Sequence, residues 1–311
     1  MAVDPPRRKK SLWRRLRRAT RGPRNALLAR SIWLVARVVG ALPVSIALGL
    51  GRALGTSAHA LLGRPRGLAA AHVALAFPEL DAAARAALVR DTFRHAGTAY
   101  AELALWRKLQ HDESYVVVEH AEVLDRALAA GHGCLAITGH VGNWEILAAR
   151  LGALGYPLSV VARRVNDERF DALVQGFRGD AGMETILRDD PHFLANVRDA
   201  LERGRIVGLL IDQDSKGGGV FVPFFGRPAH TPPGAAILAL RTKAPVVTVF
   251  IRRRSPRGHV MTFAPFVVES GGGAGRVTKL TAAFTAAIEA AIRRAPAEWV
   301  WWHERWRRQP Q

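Results

Sequence analysis

The chain has 311 residues, 49% hydrophobic and 23% charged, with a formal charge of +19. The hydrophobic share excludes a disordered chain, and the length supports a substantial core in one large domain or two small ones. The 45 Lys and Arg against 26 Asp and Glu point to an anionic partner or surface, and nucleic acid, anionic lipid and an acidic carrier protein all qualify.

The first two dozen residues carry Arg7, Arg8, Lys9, Lys10, Arg14, Arg15, Arg17, Arg18, Arg21 and Arg24, interleaved with Leu12, Trp13 and Leu16. Such a segment suits the headgroups of an anionic leaflet, where each basic side chain contributes about 1 kcal/mol. A solvated basic tail or a nucleic-acid arm fits the charge equally. An apolar stretch follows, interrupted by Arg30, Arg37 and Pro43 and ended by Arg52. Its uncharged part, residues 38–51, is shorter than the roughly 20 residues of a clean span. Pro43 predicts a kink. The expectation is a helix embedded in or dipping into the bilayer, with one tilted span as the alternative and the basic end cytoplasmic. Residues 1–60 are therefore assigned to a membrane-associated region and 61–311 to the globular domain.

Residues 81–108 read as helices rich in Ala, Leu and Arg. From 131 onward short apolar strands alternate with helices. The strands are predicted at 134–138, 158–162, 206–211, 245–251 and 260–266, and the helices at 145–154, 167–177, 191–203, 232–242 and 277–293. This rhythm predicts an α/β fold with a mostly parallel central sheet flanked by helices. The single cysteine, Cys134, falls in the first of these strands, so it reads as core and permits no internal disulfide. Gly271-Gly272-Gly273 reads as a loop.

The stretch Thr138-Gly139-His140-Val141-Gly142-Asn143-Trp144-Glu145 carries the chemistry. Asn143 is an N-cap candidate, which leaves His140 in the turn before the helix. A loop histidine can fold back onto Glu145 in the first turn, and such a carboxylate would fix the imidazole tautomer of a general base. The alternative is structural: Glu145 complements the helix dipole and His140 is a satisfied turn residue. Arg163, at the end of its strand, could hold a phosphate bidentately or be one more solvated arginine. Asp212-Gln213-Asp214 after a strand also describes the metal-binding element of many glycosyltransferases, but Phe221, Phe224 and Phe225 follow closely, an apolar setting unlike a nucleotide-sugar pocket. Thr231-Pro232 doubles as an N-cap with an N1 proline. Trp299, Trp301, Trp302 and Trp306 fit either an interfacial belt or a buried C-terminal segment.

The series Gly139-His140-Val141-Gly142-Asn143-Trp144-Glu145, Val160-Val161-Ala162-Arg163, Asp212-Gln213-Asp214, Val222-Pro223-Phe224-Phe225-Gly226, Thr231, Ala244-Pro245-Val246-Val247 and Trp302-His303-Glu304-Arg305-Trp306, preceded by Ala76-Phe77-Pro78-Glu79-Leu80, resembles the lipid A late acyltransferases of the lysophospholipid acyltransferase superfamily. It covers most of 67–308. It departs where His72 or Val73 replaces an asparagine and where Arg164, not proline, follows Arg163. The resemblance implies direct transfer of an acyl chain from a thioester of acyl carrier protein or coenzyme A to a lipid hydroxyl. In that reaction His140 is the base and Glu145 its orienting acid. Arg163, Asp212, Asp214, Asn143, Phe224 and Thr231 surround the substrates, with no metal or cofactor. It further implies a phosphorylated glycolipid acceptor, an anionic membrane surface at the cytoplasmic face of a bacterial inner membrane, and no nucleic acid. The rival readings are a lysophospholipid or other glycolipid acyltransferase, a metal-dependent glycosyltransferase using Asp212 and Asp214, and a basic membrane or nucleic-acid binding protein.

Overall fold

A computed structural model describes residues 21–310 except 111, 165–166, 215–216, 255–256, 270–272 and 274. The basic residues before position 21, and two of the three glycines at 271–273, lie outside the described residues. Four helices come first: α1 (Arg21–Ala41), α2 (Val44–Leu61), α3 (Gly63–Ala76) and α4 (Ala82–Leu109). The helix expected over the apolar stretch divides at Pro43, whose missing N–H and fixed φ start α2 instead of continuing α1. The region read as several helices at 81–108 is the single helix α4, and the Asp81 carboxylate caps it by accepting from the Ala84 N–H at 2.7 Å. α2 lies against α4 along Gly51, Gly55 and Gly97. A Cβ on Gly55 would collide with the Phe93 carbonyl, and one on Gly97 with that of Gly51, so glycine sets the closeness of this pair.

The rest is the expected α/β fold. Its elements are β1 (Val116–Glu119), α5 (Ala121–Leu128), β2 (Cys134–Thr138), α6 (Trp144–Ala153), β3 (Leu158–Ala162), α7 (Glu168–Asp180), β4 (Glu184–Leu187), α8 (Phe193–Glu202), β5 (Ile206–Leu210), β6 (Val220–Phe224), β7 (Arg227–Thr231), α9 (Gly234–Thr242), β8 (Val246–Arg253), β9 (His259–Phe266) and α10 (Arg276–Arg294). Seven strands form one sheet in the order β1-β9-β8-β2-β5-β3-β4, while β6 and β7 make a separate antiparallel hairpin. Within the large sheet only the β8–β9 pairing is antiparallel. The central strand β2 is buried at every residue, which is why its sequence is an unbroken apolar run and not an alternating one. Burial raises the Cys134 thiol to about 12, so it behaves as core.

The hairpin turn holds both Phe225 and Gly226 at positive φ. Phe225 is a costly residue for that conformation, and packing repays it. Its ring sits under the Arg293 guanidinium and edge-on to Phe77, Phe224 and Trp301, and its N–H donates to the Glu289 carboxylate at 2.6 Å. Trp299, Trp301 and Trp306 are buried in the same cluster. These three tryptophans are therefore core and not an interfacial belt, while Trp302 is half-buried.

Candidate active site

Parallel strands bring their carboxyl ends to one edge, so the residues just beyond β2, β5, β3 and β4 converge. His140 follows β2 and Asp212 follows the adjacent β5. The Gly139–Asn143 turn is fixed from several sides. Gly142 adopts a positive φ, and a Cβ there would run into the Ile251 carbonyl. Its N–H donates to the Glu298 carbonyl at 2.9 Å, and Val141 forms a bridge with Trp299. Asn143 caps α6, its side-chain oxygen accepting from the Ile146 N–H at 3.3 Å.

His140 does not meet Glu145. Its Nδ1 lies 2.8 Å from Oδ1 of Asp212, while its own backbone N–H donates to Oδ2 at 2.8 Å. The Trp299 indole N–H donates to the same Oδ2 at 2.7 Å. Asp212 is 1% exposed. Burial alone would raise its carboxyl. The charge on a protonated His140 and the hydrogen bonds from His140 and Trp299 outweigh that and hold it at about 2. An ionised Asp212 accepts from Nδ1–H, so when the imidazole is neutral its lone pair is on Nε2, which has no partner among the described residues in the cleft. The Trp144 ring stands edge-on against the imidazole at 4.8 Å between centroids.

The expected His140–Glu145 contact is thus corrected. Glu145 points along the cleft wall, where it accepts from Arg178 at 3.0 Å. Distance along the chain misled here, because the carboxylate that reaches the imidazole comes from the next strand. Arg163 does not follow a strand adjacent to that of His140, because β5 lies between β3 and β2. Both side chains still line one cleft of about 690 Å³, together with Arg188, Asp214, Trp302 and His303.

Asp214 points away from Asp212, to His230 at 2.8 Å and Arg307 at 2.9 Å, so the two acids of the Asp-Gln-Asp stretch serve different partners. Thr231 is fully buried and accepts from Arg305 at 2.7 Å, and the cap position of α9 belongs to Pro233. Phe224 packs on Trp299, Trp306 and the Arg305 guanidinium. Neither Thr231 nor Phe224 lines the cleft; both hold up the segment that carries Trp299.

Sequence reasoning missed Glu102. This α4 carboxylate is completely buried and accepts from Tyr115 Oη at 2.8 Å, Asn143 Nδ2 at 2.9 Å, and Arg253 at 2.7 and 3.1 Å. His259 Nε2 lies 3.0 Å away. Burial raises its pKa, but the neighbouring His259 and Arg253 overcome that and hold it well below the usual carboxylate range. Through Asn143 this cluster ties α4 to the turn behind His140. An isolated Glu in an Ala-rich helix gives no such signal in sequence.

The profile described as "Bacterial lipid A biosynthesis acyltransferase" matches residues 20–308. The chain belongs to this family. It is an O-acyltransferase, and its family implies an acyl donor and a glycolipid acceptor. Among curated relatives, it is similar to the lipid A biosynthesis palmitoleoyltransferase of Escherichia coli (strain K12), at 26% identity over 86% of this chain and 87% of the relative. The lipid A biosynthesis lauroyltransferase of the same strain is 25% identical over 90% of each chain. The phosphatidylinositol mannoside acyltransferase of Mycobacterium tuberculosis (strain ATCC 25618 / H37Rv) is 32% identical over 41% of each.

Proposed function

We propose that this acyltransferase moves a fatty acyl chain from a thioester of acyl carrier protein or coenzyme A to a hydroxyl of a lipid A precursor or related glycolipid, without a cofactor or an acyl-enzyme. The observation that carries the reading is the His140–Asp212 pair at the edge of the cleft. Nε2 of His140 takes the acceptor's hydroxyl proton as that oxygen attacks the thioester carbonyl. Asp212 holds the tautomer and stabilises the imidazolium. When the tetrahedral intermediate collapses, the C–S bond breaks and the thiolate recovers the proton from Nε2. The positive surface draws in both an acidic carrier and a phosphorylated lipid.

We place the protein at the cytoplasmic face of the bacterial inner membrane, with residues 1–60 as its attachment. Among the described residues no helix is long and apolar enough to cross a membrane. α1 exposes Leu27, Leu28, Ile32, Trp33, Leu34, Val35 and Val38, and α2 exposes Ile46, Leu50, Leu54 and Leu61. Such a face, with Arg30, Arg37 and Arg52 beside it, suits a helix pair lying in the interface. The double variant Leu34→Asp/Val38→Asp is expected to weaken sedimentation with vesicles containing phosphatidylglycerol by at least about tenfold. Unchanged sedimentation would refute this attachment.

The function itself is tested by incubating the detergent-purified protein with acyl thioesters and a bacterial lipid extract. A glycolipid that gains one acyl mass is expected. No gain with either type of donor would remove the reading and return weight to the glycosyltransferase alternative.

A further inference from the structure

Five arginines line the cleft beside His140: Arg64, Arg163, Arg178, Arg188 and Arg307. Three have acidic partners. Glu145 holds Arg178 at 3.0 Å, Asp214 holds Arg307 at 2.9 Å, and Glu304 lies 3.8 Å from Arg64. The guanidinium groups of Arg163 and Arg188 have no hydrogen-bond or ion-pair partner among the described residues. The cleft's acids, Glu145, Asp214 and Glu304, are already engaged. Asp190, close in the chain, accepts from the His192 N–H at 2.7 Å, and neither it nor Asp189 lines the cleft.

The two unmatched arginines are neighbours by construction. β3 and β4 run parallel with Ala162 opposite Leu187, and the Arg188 N–H donates to the Ala162 carbonyl at 2.9 Å. Each arginine is the first residue beyond its strand, on the edge that also carries His140 and Asp212. Two arginines at paired strand ends, exposed to solvent and left unneutralised, offer planar donor forks and the charge that a phosphate group needs.

We infer that Arg163 and Arg188 form a clamp for a phosphate group carried by one of the two substrates. The inference rests on the acyltransferase reading and adds a site to it. The phosphate belongs either to the glycolipid acceptor or to the foot of the donor's thioester arm.

Transfer kinetics separate these sources. The acceptor is compared before and after phosphatase treatment, and a phosphate-bearing donor is compared with a short synthetic thioester lacking phosphate. In the wild type, kcat/KM favours the phosphate-bearing form of the relevant substrate by about tenfold or more. In the double variant Arg163→Gln/Arg188→Gln that ratio falls to near one, and the substrate whose ratio falls is the source. If both ratios keep their wild-type values, the clamp is overturned.

Calorimetric titration with inorganic pyrophosphate gives a readout independent of catalysis. Binding at least about tenfold weaker in the double variant, at matched melting temperature, is expected. Equal binding overturns the clamp. Absence of acyl transfer in the wild type would instead strike the acyltransferase reading, while the pyrophosphate titration still decides the clamp.

Discussion

His140→Ala and Asp212→Asn are each expected to lower the transfer rate by about 10³–10⁴-fold, and combining them should lower it little further. The alanine removes the atom that takes the proton. The asparagine acts through hydrogen-bond polarity. Three donors converge on Asp212: the imidazole Nδ1–H, the His140 backbone N–H and the Trp299 indole N–H. An amide offers one accepting oxygen and two donating hydrogens. Turned one way, its NH₂ faces Nδ1 and forces the proton onto Nε2, which leaves no base in the cleft. Turned the other way, the NH₂ faces the two remaining donors and the turn shifts. Single-turnover rates on protein with an unaltered melting curve check this. An Asp212→Asn variant within tenfold of the wild type would show that the pair is not the catalytic base. Full additivity in the double variant would show that the two residues act separately.

Glu102→Ala is expected to destabilise the protein by roughly 2–4 kcal/mol, because it strands a half-buried Arg253 and removes the acceptor for Tyr115, Asn143 and His259. Replacing Glu102 by leucine together with Arg253 by methionine should recover part of that loss, since no unpaired charge is left behind. The residue also has a pH signature. Its carboxyl is depressed in the folded protein below its ordinary value of 4.5. It therefore contributes stability that is fully present above that value and is lost as the pH falls through the lower folded value. Asp212, depressed from 3.8 to about 2, acts in the same direction. Urea midpoints measured from pH 6 down to pH 3 should fall below about pH 4.5 in the wild type, and fall less steeply in Glu102→Ala. A variant with wild-type stability, or with an equal acid slope, would show that the Glu102 cluster does not hold the fold.

Much of the architecture was legible where one local rule governs. The strands at 134–138 and 158–162 fall where their apolar, β-branched runs put them, because a strand buried on both faces needs only that composition. The residues read as a turn before a capped helix are one, because Asn143 caps through its own side chain. What escaped depends on which strands become neighbours. β4 and the β6–β7 hairpin are short and carry charge or proline, so their apolar pattern is weak. The partner of His140 was sought five residues along the chain and was found 72 residues away, since the order β2-β5-β3 cannot be read from a sequence of alternating elements. Asp212 was singled out as a residue around the substrates and not as the partner of His140, and Glu102 was passed over because burial alone gives it meaning.

The segment around Trp299 also bears on the order of assembly. Trp299 supplies a donor to Asp212, Glu298 holds the Gly142 and Arg253 N–H groups, and Arg305 is inserted under the hairpin at Thr231 and His230. During synthesis, the apolar face of α1 and α2 leaves the ribosome long before these residues do. If α1 and α2 attach as proposed, a nascent chain would reach a bilayer before its buried carboxylate gains the indole. The site is completed by a latch drawn from 87 residues downstream of Asp212, so under the proposed attachment lipid contact would precede the capacity to modify it.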